Sequence, residues 1–293
     1  VVGTFDSLNS FIEQGGTTSA RGLAEPVFGA LVFETLLSRS ADEPFTLYGL
    51  LAETVETPPD RSWVEFTLNP AAKFSDGVAV TPDDVIFSME LLRDKGRPDY
   101  KARYSKIDSV EKVGEHGVRF NIANAHDREL PLIIGLMPIL PKHAINPDTF
   151  DKSTLTPIIG SGPYTLTDVH APDYTIYKRN PDYWGKDLPI KRGFDNYDEI
   201  RVDYYRDSNT LFEAFKKGLF DVQPEGDPAA WNTNYNFPAV SDGRVVKEAY
   251  KTGSPKGMSG FAFNTRRPLF ADIRVRRALA KLFDFEWVNK TYY

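Results

Sequence analysis

The chain has 293 residues, 41% of them apolar and 13% aromatic, enough for a sizeable core in two modest domains or one large one and far from a disordered composition. A net charge of −6 and an isoelectric point near 5.4 argue against a sequence-independent grip on nucleic acid, and the absence of cysteine excludes thiol catalysis, cysteine-based metal sites and a thiol-linked lipid anchor. No run reaches the roughly 18–20 apolar residues of a membrane-spanning helix, since the most apolar window, LPLIIGLMPILP at 130–141, is short and cut by three prolines.

In chain order, VVGTFDSLNSF at 1–11 reads as a strand and gives way to the polar, glycine-rich EQGGTTSARG at 13–22. Val27, Leu31 and Glu34 recur on successive turns and predict a helix over 24–38. WVEFTL at 63–68 alternates, Val64, Phe66 and Leu68 on one face and Trp63, Glu65 and Thr67 on the other, as a half-buried strand does. Asp76 and Gly77 supply a turn. Thr81 then caps a helix with Pro82 at its first position and Asp83 and Asp84 in its first turn, where they meet the positive end of the helix dipole. Val85, Met89 and Leu92 form its buried stripe, and Gly96 stops it. IDSVEKVGEHGVRFNI at 107–122 reads as a hairpin turning at 115–117.

A flexible Gly-Ser-Gly-Pro segment at 160–163, read as a hinge, leads into strands within 158–169 and 174–185. Ile200, Val202 and Tyr204 alternate as a strand, Leu211, Phe212 and Phe215 line a helix ended by Gly218, and 220–222 is a short strand. So compact a strand–helix–strand unit implies a right-handed parallel crossover. GFAFNT at 260–265 is an apolar strand. Beyond it Asp272 caps a helix with Val275, Leu279 and Leu282 on one face and Arg274, Arg277 and Lys281 toward water, and Asp284 caps another before Phe285, Trp287 and Val288. The whole is mixed α and β, with boundaries near 40 and 160. No internal repeat is present.

Catalytic signatures are absent. His116, His126, His143 and His170 never pair at helical spacing, so they read as surface histidines rather than metal ligands. The serine of GSGP lacks the nucleophile-elbow pattern, and neither phosphate-binding glycine loop occurs. Tyr183 and Trp184 read as packing residues. Trp231 lies in the polar, turn-rich PEGDPAAWNTNYN just after a predicted strand, where ligands of open α/β sheets bind, so it is a candidate cleft residue with packing as the alternative. Glu13, Gln14, Gly15 and Gly16 follow the first strand in the same way. Their glycines permit close backbone approach to an extended peptide, an ordinary surface turn being the other reading.

Six stretches resemble, in this order, a known family: VFETLLSRSADEPFTLYGLLAETVE, KFSDGVAVTPDDVIFSMELLRDKG, PIIGSGPYTLTDV, YKRNPDYWG, AFKKGLFDV and FAFNTRRPLFADIRVRRALAKLFDFE. They cover nearly the whole chain and resemble the oligopeptide- and nickel-type solute-binding proteins of ABC importers, extracellular solute-binding family 5. NYDEIRVDYYRDSNTLFEAFKKGLFDV and FNTRRPLFADIRVRRALAKLFDFEWVNKT look most like its YejA-like branch, associated with peptide uptake. The resemblance implies an α/β fold of the periplasmic binding protein type II kind, two-lobed, with mixed sheets. Residues 1–39 would begin lobe I, 40–160 form an inserted α+β domain, 161–259 complete lobe I, and 260–293 hold a hinge strand and the start of a third region that is largely missing. The chain would be the N-terminal portion of a periplasmic peptide-binding protein, its signal peptide removed, neither an enzyme nor the holder of a cofactor. Its partners would be a peptide ligand, the ABC permease of the inner membrane and the C-terminal half of the same protein, with no nucleic acid among them. Phe263, Asn264 and Thr265 match the family's strand that crosses between lobes, which implies a hinge first and a ligand contact second. A secreted peptide or glycan hydrolase sharing the architecture, and a chaperone-like scaffold, are the alternatives. Turnover would mark the first, and broad weak affinity for unfolded chains the second.

Overall fold

The computed structural model describes residues 1–13, 18–24, 30–123, 127–251, 253, 257 and 260–292. The chain divides into two compact units, 1–211 and 212–293. In the first, β1 (Leu37–Arg39) and β2 (Leu47–Gly49) make a short antiparallel pair. Next come β3 (Ala52–Glu56), β4 (Trp63–Leu68), the helices α1 (Pro82–Lys95) and α2 (Pro98–Tyr104), and the hairpin β5 (Ile107–Val113) and β6 (Gly117–Ile122). The four strands form one antiparallel sheet in the order β3-β4-β6-β5. The alternation of β4 decides which face is buried: Val64 pairs with Phe120 and Phe66 with Val118, all four inside. On the other face the Arg119 guanidinium lies 4.5 Å over the Trp63 ring and 2.7 Å from Glu65.

The start of α1 is as local as the sequence suggests, though Asp84 does more than meet a dipole. Its carboxylate accepts hydrogen bonds from the Thr81 backbone N–H at 2.9 Å, the Thr81 hydroxyl at 2.7 Å and, across the fold, the Lys142 N–H at 2.9 Å. A buried carboxylate is tolerated here because every approach to it is a donor.

After α3 (Leu130–Gly135), the strands β7 (Tyr164–His170), β8 (Tyr174–Arg179) and β9 (Glu199–Asp203) build a three-stranded antiparallel sheet. Residues 1–11, expected as a strand, make only isolated parallel bridges among the described residues, Val2 to Tyr205 and Ser7 to Ser19. The helix expected over 24–38 is not formed at 30–38, and Val27 lies outside the described residues. Here tertiary pairing overrides a helical spacing: the Leu31 carbonyl accepts from Tyr164 N–H at 3.0 Å, and the Val32 carbonyl from Gly162 N–H at 2.8 Å. The Gly-Ser-Gly segment is buried in this pairing rather than free as a hinge. A Cβ on Gly160 would stand 2.0 Å from the Val32 carbonyl oxygen, and one on Gly162 2.5 Å from that of Leu31. The core of the unit runs through Phe5, Phe11, Phe33, Phe66, Phe120 and Tyr177.

Helix α4 (Ser208–Lys216) carries the division between the units and is followed by α5 (Pro228–Thr233), α6 (Pro238–Ser241), α7 (Pro268–Ala271), α8 (Ile273–Lys281) and α9 (Phe285–Tyr292). Asp272 caps α8 by accepting from Arg274 N–H at 2.8 Å, and Asp284 caps α9 by accepting from Trp287 N–H at 2.9 Å. The strand expected at 220–222 is absent, and with it the parallel crossover, because every pair of named strands is antiparallel. Phe220 instead stacks on Phe215 of α4, ring centroids 5.4 Å apart, within a small aromatic cluster that includes Phe237 and Tyr235. GFAFNT at 260–265 also carries no strand pairing.

Candidate functional site

The N-terminal segment is stitched to the stretch that resumes at Thr18. Asp6 accepts from Thr18 N–H at 2.7 Å, Ala20 N–H donates to the Ser7 carbonyl at 2.8 Å, and the Ser19 hydroxyl donates to the Asn9 carbonyl at 2.9 Å. Asn9 is itself fixed, its amide donating to the Phe150 carbonyl at 2.7 Å and its Oδ1 accepting from Phe11 N–H at 3.1 Å. Arg97, at the stop of α1, is drawn to the same place because its N–H donates to the Phe11 carbonyl at 2.8 Å. Arg21 is held from the other side: its N–H donates to the Tyr204 hydroxyl at 2.6 Å, and its carbonyl accepts from the Tyr177 hydroxyl.

These ties surround a depression of about 450 Å³, floored by Ile12 and ringed by Glu13, Thr18, Ser19, Arg21, Arg97 and Asp99. Both signs of charge are present. The Arg97 guanidinium lies 5.1 Å over the Tyr100 ring, with Nε 3.6 Å from Asp99 and without a hydrogen bond of its own. Two guanidiniums, two carboxylates and two hydroxyls suit the two ends and the backbone of a zwitterionic solute. They do not supply a nucleophile with a base beside it.

Of the residues singled out from the sequence, Glu13 is exposed at this depression, while Gln14, Gly15 and Gly16 lie outside the described residues. Trp231 sits on α5 in the second unit, with the Lys247 ammonium 4.6 Å over its ring and Tyr235 at 6.0 Å. Phe263 lies 5.4 Å from Phe270, and the Asn264 side chain accepts from Arg266 N–H at 3.1 Å. Thr265 is exposed in the turn that follows. Thr18, Ser19 and Arg21 were present in the quoted EQGGTTSARG. Arg97 and Asp99 left no such signal, because long-range contacts to Phe11, from Arg97 N–H and the Tyr100 ring, bring them here. His143 pairs with Asp76 at 2.7 Å and His170 with Asp168 at 3.1 Å, and His126 lies outside the described residues. Among the described residues no three or more His, Cys, Asp or Glu side chains are grouped to hold a metal ion.

Tyr183 and Trp184 pack as expected and also do something the sequence did not suggest. The Tyr183 hydroxyl and Trp184 Nε1, the latter at 3.1 Å, both donate to the buried Glu34 carboxylate, with Lys191 Nζ 3.8 Å away. Burial pushes Glu34 up to about 7, against the pull of Lys191, Tyr183 and Trp184.

The family model for bacterial extracellular solute-binding proteins, family 5, middle region, matches residues 46–293. A protein of Brucella suis whose name says only that it binds is 57% identical over 295 residues, covering 100% of this chain and 48% of its own length. The peptidoglycan-binding protein YepA of Agrobacterium fabrum is 53% identical over 298 residues, covering 99% of this chain and 48% of its own. The chain thus spans about half the length of the curated relatives it matches. Among solved structures, NikZ from Campylobacter jejuni in complex with Ni(L-His) superposes with a TM-score of 0.70 over 99% of this chain and 54% of that one. At 19% identity that likeness speaks for the fold alone.

Proposed function

The chain belongs to the bacterial extracellular solute-binding proteins, family 5, and from that premise we propose that the protein is the periplasmic component of an ABC importer, capturing peptides of the oligopeptide or murein type. The observation that carries this reading is the family match across residues 46–293. The relative named as a peptidoglycan-binding protein and the charges of both signs at Glu13, Arg21, Arg97 and Asp99 support it. The function is capture, with no cofactor and no covalent step. Ligand closes the lobes only through contacts that exist in the closed state and not in the open one. Arg21 and Arg97 would take a peptide carboxylate, and Glu13, Gln14, Gly15 and Gly16 would offer backbone groups. In the second unit, taken by itself, Trp231 would be a candidate ligand contact, and Phe263, Asn264 and Thr265 would serve as hinge first and contact second.

The same proposal counts 1–39 and 161–259 as one lobe, 40–160 as its insertion and 260–293 as the entry to a third region. Pairing of 31–32 with 162–164, and of Gly3 N–H with the Tyr205 carbonyl, supports the first grouping, and a four-stranded sheet confined to 52–122 supports the second. The permease of the inner membrane and the polypeptide that completes the relatives' length are the partners this reading requires. Mass spectrometry of small molecules co-purifying with the full-length protein is expected to return peptides. In isothermal titration with those peptides, full-length protein should bind tightly and the 293-residue chain weakly or not at all. Turnover of the peptides, or tight binding by the 293 residues alone, would overturn the reading.

A further inference from the structure

A second concavity of the first unit, about 580 Å³, shares no lining residue with the depression beside Glu13. Its walls come from the end of β8 and from the loop before β9. Its charge is set by Lys178, Arg179, Lys186, Lys191, Asp195 and Asp198. Four cations and two carboxylates line it, and Arg179 is already paired with Asp198, which leaves Lys178, Lys186 and Lys191 with Asp195 as the remaining charges of the lining. The volume falls in the range of roughly 300–1,000 Å³ that small-molecule pockets occupy.

The cations are not equally committed. Lys186 donates only at 3.5 Å, to the Pro181 carbonyl, and Lys178 lies 3.9 Å from Glu199. Exposed contacts of that length contribute little, so both ammoniums can change partner at small cost. Lys191 is held more firmly, largely buried, 2.9 Å from Asp195 and 3.8 Å from Glu34. Burial holds the Glu34 carboxyl up, and Asp195, the nearer of the two, is the principal counterion of Lys191. The loop that presents Asp195 is set by left-handed backbone at Gly193 (φ 83°) and at Asp195 itself (φ 56°), a conformation that a non-glycine residue adopts only at a cost. Between them Phe194 stands 58% exposed on the lining, an aromatic face beside the cations.

We propose that this cleft is a small-molecule site distinct from the peptide site, taking a hexose-sized solute that carries an oxyanion, phosphate or carboxylate, with Lys178 and Lys186 on the anion and Phe194 against the ring. Lys186 is exposed, so its removal does not threaten the fold. The test is isothermal titration of the purified full-length protein at low ionic strength with glucose 6-phosphate, glucuronate and glucose. Saturable binding of one or both charged sugars, and none of glucose, is the expected result, the two charged arms telling phosphate from carboxylate. Lys186→Ala should weaken it by about tenfold or more, as loss of one charge-assisted hydrogen bond does. Phe194→Ala should weaken it less, and Lys281→Ala on α8 should leave it unchanged, as should peptide titration of the Lys186→Ala protein. No saturable binding of either charged sugar would overturn the proposal. So would equal losses in Lys186→Ala and Lys281→Ala, which would mean diffuse charge attraction.

Discussion

A carboxylate taken out of water must be paired or protonated, and Glu34 is partly both. Its folded pKa of about 7 stands above the 4.5 of an exposed glutamate, chiefly through burial. Between those two values the folded protein holds a proton that the unfolded chain has lost. Stability therefore falls as pH rises through that window and stays low above it. The difference of roughly 2.5 units corresponds to about 3 kcal/mol. Asp207, held down to about 2 by hydrogen bonds from Thr210 and Arg206, acts with the opposite sign, but only below about pH 4. Glu34→Gln is expected to abolish the decline between about pH 5 and 7, measured by denaturant unfolding at several pH values. Parallel profiles for the two proteins would contradict this assignment. Nothing near Glu34 in sequence announced it: the partners are Tyr183, Trp184 and Lys191, about 150 residues on.

At the scale of elements, what was legible is what is decided locally. Thr81, Pro82 and Asp84 start α1, Gly96 stops it, and the alternation of 63–68 makes β4, each within one or two turns of chain. Asp272 and Asp284 start α8 and α9 in the same way. Elements that needed a distant partner were misread. Residues 31 and 32 pair with 162–164, and 37–38 with 48–49, instead of coiling, and 220–222 and 260–265 have the composition of strands but make no strand pairing. The glycines at 160 and 162 mark the same contact from its other side, since they let two backbones approach as side chains would not. Gly160→Ala should therefore destabilise the first unit by about 1–3 kcal/mol or more, read as a lowered midpoint in thermal or denaturant unfolding. Gly226→Ala, whose Cβ would meet nothing within 4 Å, is the matched control and should change little. A tolerant Gly160 would mean that the two segments separate easily after all.

For the molecule as a whole, the informative feature is apolar surface left in water. In the second unit Phe261 and Leu282 are 81% and 80% exposed, and Phe285 and Trp287 lie open as well. Large exposed apolar side chains that recur along neighbouring helices mark a surface that another body covers. On the proposed function, the cover would be polypeptide that completes the relatives' length. The 293-residue chain should accordingly bind an environment-sensitive apolar dye, Phe285→Lys should reduce that binding without moving the unfolding of the first unit, and full-length protein should bind little. Equal dye binding by the short and full-length forms would remove the argument. By itself the sequence determined the family, the helix starts and the alternating strands, because caps, turns and binary patterns act over a few residues and family likeness is collinear. Only the tertiary structure decided that Arg97 joins Arg21 beside Glu13, that Glu34 is buried under Tyr183 and Trp184, and that four cations share one cleft. Those arrangements rest on hydrogen bonds and ion pairs between residues far apart in the chain, and no local pattern encodes which distant groups will meet.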